Sequence, residues 1–193
     1  LDRARGEVFQ VADDLAAMTG MVMAAELKFV RGMALNPMIQ DAVDQVAQQG
    51  VDGAEDTLTA LDNHLTKAFA SVGQGYELFV LADAAGLSVS DSMGGAMREN
   101  KVNIKDRDYF IAAKQGKAII GEPVASRSSG NPVVVASTPV KTSAGAFAGV
   151  FIAVVKLDAL SDKITSVKIG DTGYPYVINK DGVVIAHPNK EFI

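Results

Sequence analysis

Apolar residues recur in alternating steps of three and four along the first part of the chain. This spacing is the heptad pattern of a helix with one apolar seam, and it continues for about four repeats. The proline at Pro37, directly after Asn36, predicts that this helix kinks or ends there. The seam consists of Leu1, Ala4, Val8, Val11, Leu15, Met18, Val22, Ala25 and Phe29.

A second helical stretch covers residues 38–72, with an interruption expected near Gly50 and Gly53. Residues 1–72 are therefore predicted to form a long helical stalk ahead of the first strand. The apolar seam has two interpretations that the sequence leaves open. In one interpretation, the seam packs only on its own domain. In the other, it forms a parallel helix pair between two subunits, which would make the protein a homodimer.

The hydrophobic period changes from helical to extended after Gly73 and Gly75. The segment "YELFVLADAAGLSVSDS" predicts two strands joined by a turn at residues 83–86. A helix at residues 107–115, ended by Gly116, precedes three further strands, "AIIGEPVAS", "VVVASTPVK" and "FAGVFIAVV". The pattern predicts an α+β fold in which a long N-terminal helix packs on an antiparallel sheet of five strands.

A second hairpin of the same kind follows a predicted helix at residues 157–167. The segment "GYPYVINKDGVVIAHPN" again reads strand, Asx-Gly turn, strand, and Gly182 stands 96 residues after Gly86. This repeat predicts the start of a second, similar domain. We therefore divide the chain into a stalk (1–72), a first sheet domain (73–156), a connecting helix (157–168) and the opening hairpin of an incomplete second domain (169–193). A lone hairpin is marginally stable in water, so it must pack on something else.

Composition and charge exclude several classes of protein. The chain has 193 residues, 48% of them hydrophobic, which is enough for a real core. A net charge of -5 argues against a nucleic-acid partner, and the absence of cysteine excludes disulfides, thiolate zinc sites and cysteine nucleophiles. The longest apolar run, residues 144–155, is too short to cross a bilayer. Because Leu1 already lies inside a helical pattern and is not a methionine, we expect a piece of a longer protein.

Catalytic and metal-binding motifs are missing from the sequence. No HExxH, GxSxG, P-loop or GxGxxG pattern occurs, and no calcium loop has the required order of ligands. The two histidines do not form a site, since His64 lies in a polar helical stretch where we expect it to be exposed, and His187 ends the last strand. We therefore expect neither an enzyme nor a cofactor.

Several motifs together resemble a known family. The stretches "RDYF", "GEPVASRSSGNPVVVASTPV", "AGVFIAVVKLDAL" and "IGDTGYPYVINKDGVVIAHPN" closely resemble the double Cache sensor domains of bacterial chemoreceptors and sensor kinases, which have PAS-like sheets. The resemblance implies an extracytoplasmic module, periplasmic or extracellular, of a protein anchored in the bacterial cell membrane. It also implies that residues 73–156 form the membrane-distal domain with a small-molecule pocket, and that residues 169–193 open the membrane-proximal domain.

The subgroup of this family that binds amino acids has a motif against which the chain can be compared. Arg107 matches its arginine, and Tyr109 and Phe110 stand where tryptophan and tyrosine are usual. The strand tyrosine is replaced by Val124, and the two aspartates by Ser126 and Val154. Without these carboxylates an ammonium group would lose about 1.5 to 3 kcal/mol per hydrogen bond to a charged group.

The resemblance therefore favours a small organic acid over an amino acid as the ligand, because a planar guanidinium suits a carboxylate. The predicted binding residues are Arg107, Tyr109, Phe110, Val124, Ser126 and Val154. Three alternatives remain open. In the first, Arg107 pairs with Asp106 or Asp108 at the start of its helix and has no role in binding. In the second, the domain is a dimerising spacer without a ligand. In the third, the domain senses a binding protein that carries the ligand.

One further expectation concerns Arg127. Strand alternation places it on the face opposite Ser126, where it would be solvated.

Overall fold

Three helices form the N-terminal part of the computed structural model, which describes residues 2–166, 169 and 173–193, with side chains from residue 9 onward. They are α1 (Asp2–Ala34), α2 (Pro37–Gly53) and α3 (Glu55–Val72). The predicted break at Pro37 is confirmed, and the Asn36 side chain caps α2 by accepting a hydrogen bond from the Met38 N–H at 2.9 Å. The predicted interruption near Gly50 is confirmed by a φ of 75° there, which glycine adopts without steric cost.

An antiparallel sheet follows the helices. Its strands are β1 (Tyr76–Asp83), β2 (Ser88–Asp91), β3 (Ile119–Ile120), β4 (Val124–Ala125), β5 (Pro132–Lys141) and β6 (Phe147–Lys156). They are arranged in the order β2-β1-β6-β5-β3, and β4 also pairs with β5. The sheet has one strand more than predicted, because the segment "AIIGEPVAS" is divided in two around Pro123, which has no N–H to donate.

One glycine in the sheet is required by a close backbone approach. Gly149 pairs with Asp83 and has a φ of 151°, and a Cβ atom there would lie 1.9 Å from the Ala82 carbonyl oxygen. Any other residue at this position would force β1 and β6 apart.

The two faces of the sheet pack against different helices. On one face, Phe79, Leu81 and Phe151 pack against apolar residues of α2 and α3. On the other face, Val80 and Ile152 share a cluster with residues of α4 (Ala96–Glu99) and α5 (Asp108–Lys114). Neighbouring residues along β1 and β6 thus alternate between the two clusters, as the pleat of a strand requires. The second face carries the candidate site.

The C-terminal elements form a smaller unit. They are α6 (Leu157–Thr165), β7 (Val177–Ile178), β8 (Val184–Ala186) and a short 3-10 helix (Lys190–Phe192). The hairpin packs on α6 through a buried cluster, and the Ser161 hydroxyl bonds to both the N–H and the C=O of His187, at 2.9 and 3.0 Å. The sequence analysis required another element for the hairpin to pack on, and that element is α6. Residues 167, 168 and 170–172 of the predicted connecting helix and hairpin lie outside the described residues.

The apolar seam of α1 packs on its own domain at two of its positions. Val22 packs against the cluster around α6, and Phe29 stacks on Tyr76 with ring centroids 5.3 Å apart. The side chains of Leu1, Ala4 and Val8 lie outside the described residues. A helix pair between subunits stays a prediction. Among the described residues, no helix combines the length and the apolar character needed to span a membrane.

Candidate ligand-binding site

A cavity lies on the sheet face that packs against α4 and α5. Its walls come from β1, β2, β4, β5 and β6, from α4, α5 and the loop between them, and from the turn at residues 126–131, which we call the lid turn. The cavity volume is about 40 Å³, on a scale on which one water needs about 10–15 Å³. The lining is apolar except for six residues: Ser88, Arg107, Tyr109, Ser126, Arg127 and Ser128.

Five of the six predicted site residues line this cavity. They are Arg107, Tyr109, Val124, Ser126 and Val154. Phe110 is the exception, because it is buried against Phe147 instead, with ring centroids 6.2 Å apart in an edge-to-face arrangement. Consecutive residues of a helix point in different directions, so only one of the two aromatic side chains can face the cavity.

Arg107 lies at the N-terminal end of α5, where its backbone is still extended. Its guanidinium donates one hydrogen bond to the Ala125 carbonyl, at 3.3 Å between Nη2 and the oxygen. Its Nε is fully buried and has no hydrogen-bond partner in the described part of the chain. A buried donor without a partner is rare in native proteins and points to a missing acceptor.

The alternative role for Arg107, an ion pair at the start of its helix, is wrong. The Asp106 carboxylate binds Arg127, and the Asp108 carboxylate accepts the backbone N–H groups of Tyr109 and Glu122, at 2.7 and 3.1 Å. Neither acid forms an ion pair with Arg107. The guanidinium therefore keeps donors available for another molecule.

Tyr109 supplies a second unpaired donor. Its side chain is 4% exposed, and none of the described residues forms a hydrogen bond with its hydroxyl group. Burial raises the pKa of Tyr109 to about 12, partly offset by the positive charges of Arg107 and Arg127. The phenol therefore stays protonated near neutral pH and can donate to a ligand.

Ser126 lines the cavity, but its hydroxyl is already occupied. It donates its proton to the Glu77 carboxylate and accepts the N–H groups of Ser128 and Ser129, at 3.1 and 3.4 Å. The Ser129 hydroxyl also donates to Glu77, at 2.7 Å. Ser126 therefore shapes the lid turn and attaches it to β1.

Arg127 is exposed, as the sequence analysis expected, but it also lines the cavity together with Ser126, which strand alternation did not predict. Its Nη2 donates to both carboxylate oxygens of Asp106, at 2.8 and 2.6 Å, and its Nη1 donates to the Asn103 carbonyl. These bonds lower the pKa of Asp106 and attach the lid turn to the loop before α5. The prediction from alternation was wrong because β4 ends at Ala125, so the strand period no longer applies at Arg127.

One cavity wall is held by a buried carboxylate on α3. Asp62, which is 3% exposed, accepts hydrogen bonds from the Ser90 hydroxyl at 2.6 Å, the Asp91 N–H at 2.9 Å and the Arg98 guanidinium at 2.9 Å. The Asp91 carboxylate in turn accepts the N–H of Met97, a lining residue, at 2.8 Å. We call these residues the Asp62 network. It fixes β2 and α4 before any ligand binds.

The polar groups of the cavity favour one chemistry. They are two guanidiniums, a phenol and three serines, and no Asp or Glu is among the lining residues. Within the described part of the chain, no cluster of His, Cys, Asp or Glu could hold a metal ion. Unpaired donors in an apolar cavity suit a ligand with acceptor oxygens.

Another serine, Ser88 of β2, was missed by the sequence analysis. A single serine in a strand gives no signal, because only the packing of α4 shows which side chains border a cavity.

Comparison with known proteins places this chain in a wider group. The chain is 27% identical over 157 residues to the methyl-accepting chemotaxis protein PscA of Pseudomonas syringae pv. tomato, covering 81% of this chain and 23% of that protein. It is 23% identical to the methyl-accepting chemotaxis protein McpA of Bacillus subtilis, over 95% of this chain and 28% of that protein. The chain thus spans about a quarter of the length of these relatives.

Solved structures share the fold at lower identity. The sensor domain of the histidine kinase DctB of V. cholerae has a TM-score of 0.67 at 15% identity, covering 84% of this chain and 60% of that chain. A family model described as Cache domain, of the double Cache type, matches residues 6–193. Since this match covers nearly the whole sequence, the chain belongs to the Cache domain family.

Proposed function

We propose that this chain is the extracytoplasmic ligand-binding sensor domain of a membrane-anchored bacterial chemotaxis receptor, and that it binds a small organic acid. The observation that carries the proposal is that Arg107 lines an apolar cavity while its buried Nε has no acceptor among the described residues. A ligand carboxylate would accept from this donor and from the Tyr109 hydroxyl.

An amino acid is disfavoured by the same lining. The ligand-binding domain of the Pseudomonas fluorescens chemoreceptor CtaA, solved with L-serine, shares the fold with a TM-score of 0.61 at 17% identity. In this chain no lining residue carries a carboxylate that would neutralise an ammonium group. Leaving such a charge unpaired in an apolar cavity would be costly. We therefore favour an acid without an amino group.

The size of the cavity favours a short ligand. A volume of about 40 Å³ corresponds to roughly three water molecules. An acid of a few carbon atoms fits, and a longer one requires the lid turn to move outward. Two of the contacts that attach the lid turn, Arg127 to Asp106 and Ser129 to Glu77, are exposed and break at low cost, while the bond from Ser126 to Glu77 is part-buried.

Signalling would follow from a shift of the sheet against the stalk. A ligand changes this equilibrium only by binding one arrangement more tightly than the other. The structure offers a junction for such a shift, since the buried Glu26 of α1 accepts hydrogen bonds from Tyr76 of β1 at 2.7 Å and from Lys163 of α6 at 3.1 Å. Movement of β1 would therefore act on α1 and α6 together.

Two rivals remain, a ligand-free spacer that dimerises and a sensor of a ligand-loaded binding protein. The small volume favours them, whereas the unpaired donors of Arg107 and Tyr109 favour direct binding. Homodimerisation through α1 is compatible with all three functions.

The deciding experiment is thermal unfolding of the domain against a panel of small carboxylic acids, amino acids and purines. A ligand at a hundred times its Kd stabilises by about 2.7 kcal/mol, which raises Tm by about 5–10 °C in a chain of this size. We expect a shift with carboxylic acids that Arg107→Ala removes and Arg107→Lys weakens. Lys105→Ala is the matched control, because it removes a nearby exposed charge outside the cavity. No shift with any acid would reject the proposal.

A further inference from the structure

Ser88 is a polar residue of the cavity for which the proposed function has no role. It lies at the start of β2, is 4% exposed and lines the same cavity as Arg107 and Tyr109. Its N–H donates to the Val102 carbonyl at 2.9 Å. Its hydroxyl forms no hydrogen bond with any described residue and is not fully enclosed by protein atoms, so it is available to a molecule in the cavity.

The backbone that carries this hydroxyl is fixed by the surrounding structure. Ser90 and Asp91, on the same short strand, are both bound by the Asp62 carboxylate, at 2.6 and 2.9 Å. The Cα and Cβ atoms of Ser88 are therefore held at the cavity wall, and the hydroxyl changes its direction by rotation about χ1. An unpaired polar group on a fixed backbone beside a cavity is the arrangement used to recognise a ligand group.

The chemistry of the ligand group follows from what surrounds Ser88. An ammonium group has three donors and a charge, and no lining carboxylate would balance it. A second carboxylate would need a second free cation, but Arg127 is engaged by Asp106 and Asn103. A neutral hydroxyl has one donor and two lone pairs, which the Ser88 hydroxyl can match as acceptor or donor.

We propose that Ser88 is a specificity-determining residue that binds a hydroxyl group of the ligand, so that the ligand class is a short hydroxycarboxylic acid. This inference rests on the proposed function, since it takes Arg107 as the site of the carboxylate. Because the cavity is small, a ligand held at Arg107 also reaches the β2 wall.

The test compares acids that differ by one hydroxyl group. Binding of acetate and glycolate, and of propionate and lactate, is measured by calorimetry on the wild type and on Ser88→Ala. We expect the wild type to bind the hydroxylated member about three- to tenfold more tightly, the effect of one neutral hydrogen bond. Ser88→Ala should bring the two members of each pair to similar affinity without weakening acetate or propionate. Ser71→Ala, which removes an exposed hydroxyl on α3 outside the cavity, should keep the preference.

A second measurement needs no ligand. Since the Ser88 hydroxyl has no protein partner among the described residues, Ser88→Ala should unfold at the same Tm as the wild type or higher. A clear loss of stability would show that the hydroxyl serves the fold, and would overturn the inference.

The outcomes separate the two proposals. If Arg107→Ala weakens both members of a pair while Ser88→Ala leaves the preference unchanged, the inference about Ser88 fails and the proposed function stands. The inference also fails if the wild type prefers the acids without a hydroxyl. If neither pair binds the wild type, both proposals are rejected for short acids.

Discussion

Individual donors in the cavity are placed by local backbone structure. Arg107 is held where α5 begins, and Tyr109 follows two residues later in the first turn of that helix, so both side chains border the cavity. Arg107 keeps an unpaired Nε because the neighbouring acids bind other groups. The site is thus ready for an acceptor before any ligand arrives, which lowers the cost of ordering on binding.

A pH titration of stability tests the burial of Tyr109. Its pKa is raised from the ordinary 10.0 to about 12, so the unfolded chain loses this proton first as the pH rises. The contribution of the Tyr109 proton to the free energy of unfolding is complete below pH 10 and is lost between pH 10 and 12. The total loss is about 2–3 kcal/mol. We expect Tyr109→Phe to lose less stability than the wild type over this interval in urea unfolding. Parallel curves for the two proteins would show that Tyr109 is not buried in solution.

Substitutions of Phe110 should change the stability of the domain without changing its affinity for the ligand. It is 2% exposed and lies outside the cavity, packed edge-to-face on Phe147. Phe110→Ala is expected to lower the free energy of unfolding by about 3–5 kcal/mol, while Phe110→Leu should cost much less. Calorimetry on Phe110→Leu should give wild-type affinity for the acids. A large loss of affinity in the leucine variant would place Phe110 at the ligand.

Among the elements, the break between α1 and α2 depends on one side chain. Asn36 caps α2, and its amide also lies 2.8 Å from Nε2 of His64 on α3. His64 is therefore half-buried, not exposed as its polar surroundings predicted.

Substitution of Asn36 distinguishes the cap from the contact with His64. Asn36→Ala removes both and should lower the free energy of unfolding by about 1–2 kcal/mol. Asn36→Ser restores a capping oxygen but does not reach His64, so it should recover only part of the loss. Urea unfolding of both variants, with His64→Ala as the control, measures the two contributions. Equal losses in the alanine and serine variants would mean that the cap contributes nothing.

The lid turn is an element whose attachment can be loosened without unfolding the domain. Asp106→Asn removes the charge that binds Arg127, and Glu77→Gln weakens the acceptor for Ser126 and Ser129. Both exchanges should speed hydrogen–deuterium exchange of the amides at residues 128–130 while Tm changes little, because the contacts are exposed. Asp181→Asn, at a distant exposed ion pair, is the control. Unchanged exchange in both variants would mean that these side chains do not hold the turn.

Much of this element structure could be predicted from the sequence. The helices could be predicted from the spacing of the apolar seam, the glycine positions and the proline after Asn36. The long strands could be predicted from runs in which apolar residues alternate. The division around Pro123 and the direction of Arg127 could not be predicted in this way, because each depends on where a short strand stops. Likewise, Arg107 could be found from a motif, whereas its unpaired Nε depends on which groups Asp106 and Asp108 bind in three dimensions.

For the whole molecule, the central question is how the sheet is joined to the helices around it. Glu26 is 4% exposed and accepts from Tyr76 and Lys163, which connects α1, β1 and α6 at one point. Phe29 stacks on Tyr76 next to this junction. The contact between stalk, sheet and connecting helix is therefore partly polar, and polar contacts of this kind can exchange partners in a small shift.

A double-mutant cycle measures this junction. Glu26→Ala leaves the Tyr76 hydroxyl without its acceptor and should lower the free energy of unfolding by about 1–3 kcal/mol. Tyr76→Phe removes the donor and should cost about 0.5–1.5 kcal/mol. In urea unfolding, the double variant should lose less than the sum of the two single losses, by about 1 kcal/mol. Strict additivity would mean that the bond contributes nothing to coupling between the elements.

The order of strands also bears on how the protein avoids aggregation. The ten-residue strands β5 and β6 lie inside the sheet, whereas its edges are formed by β2, with four residues, and by the two-residue strands β3 and β4. Short edges offer few free main-chain groups to a neighbouring molecule. If β2 detached, the eight residues of β1 would become an open edge. The Asp62 network, which binds Ser90 and Asp91 of β2, therefore also protects the chain from intermolecular strand pairing.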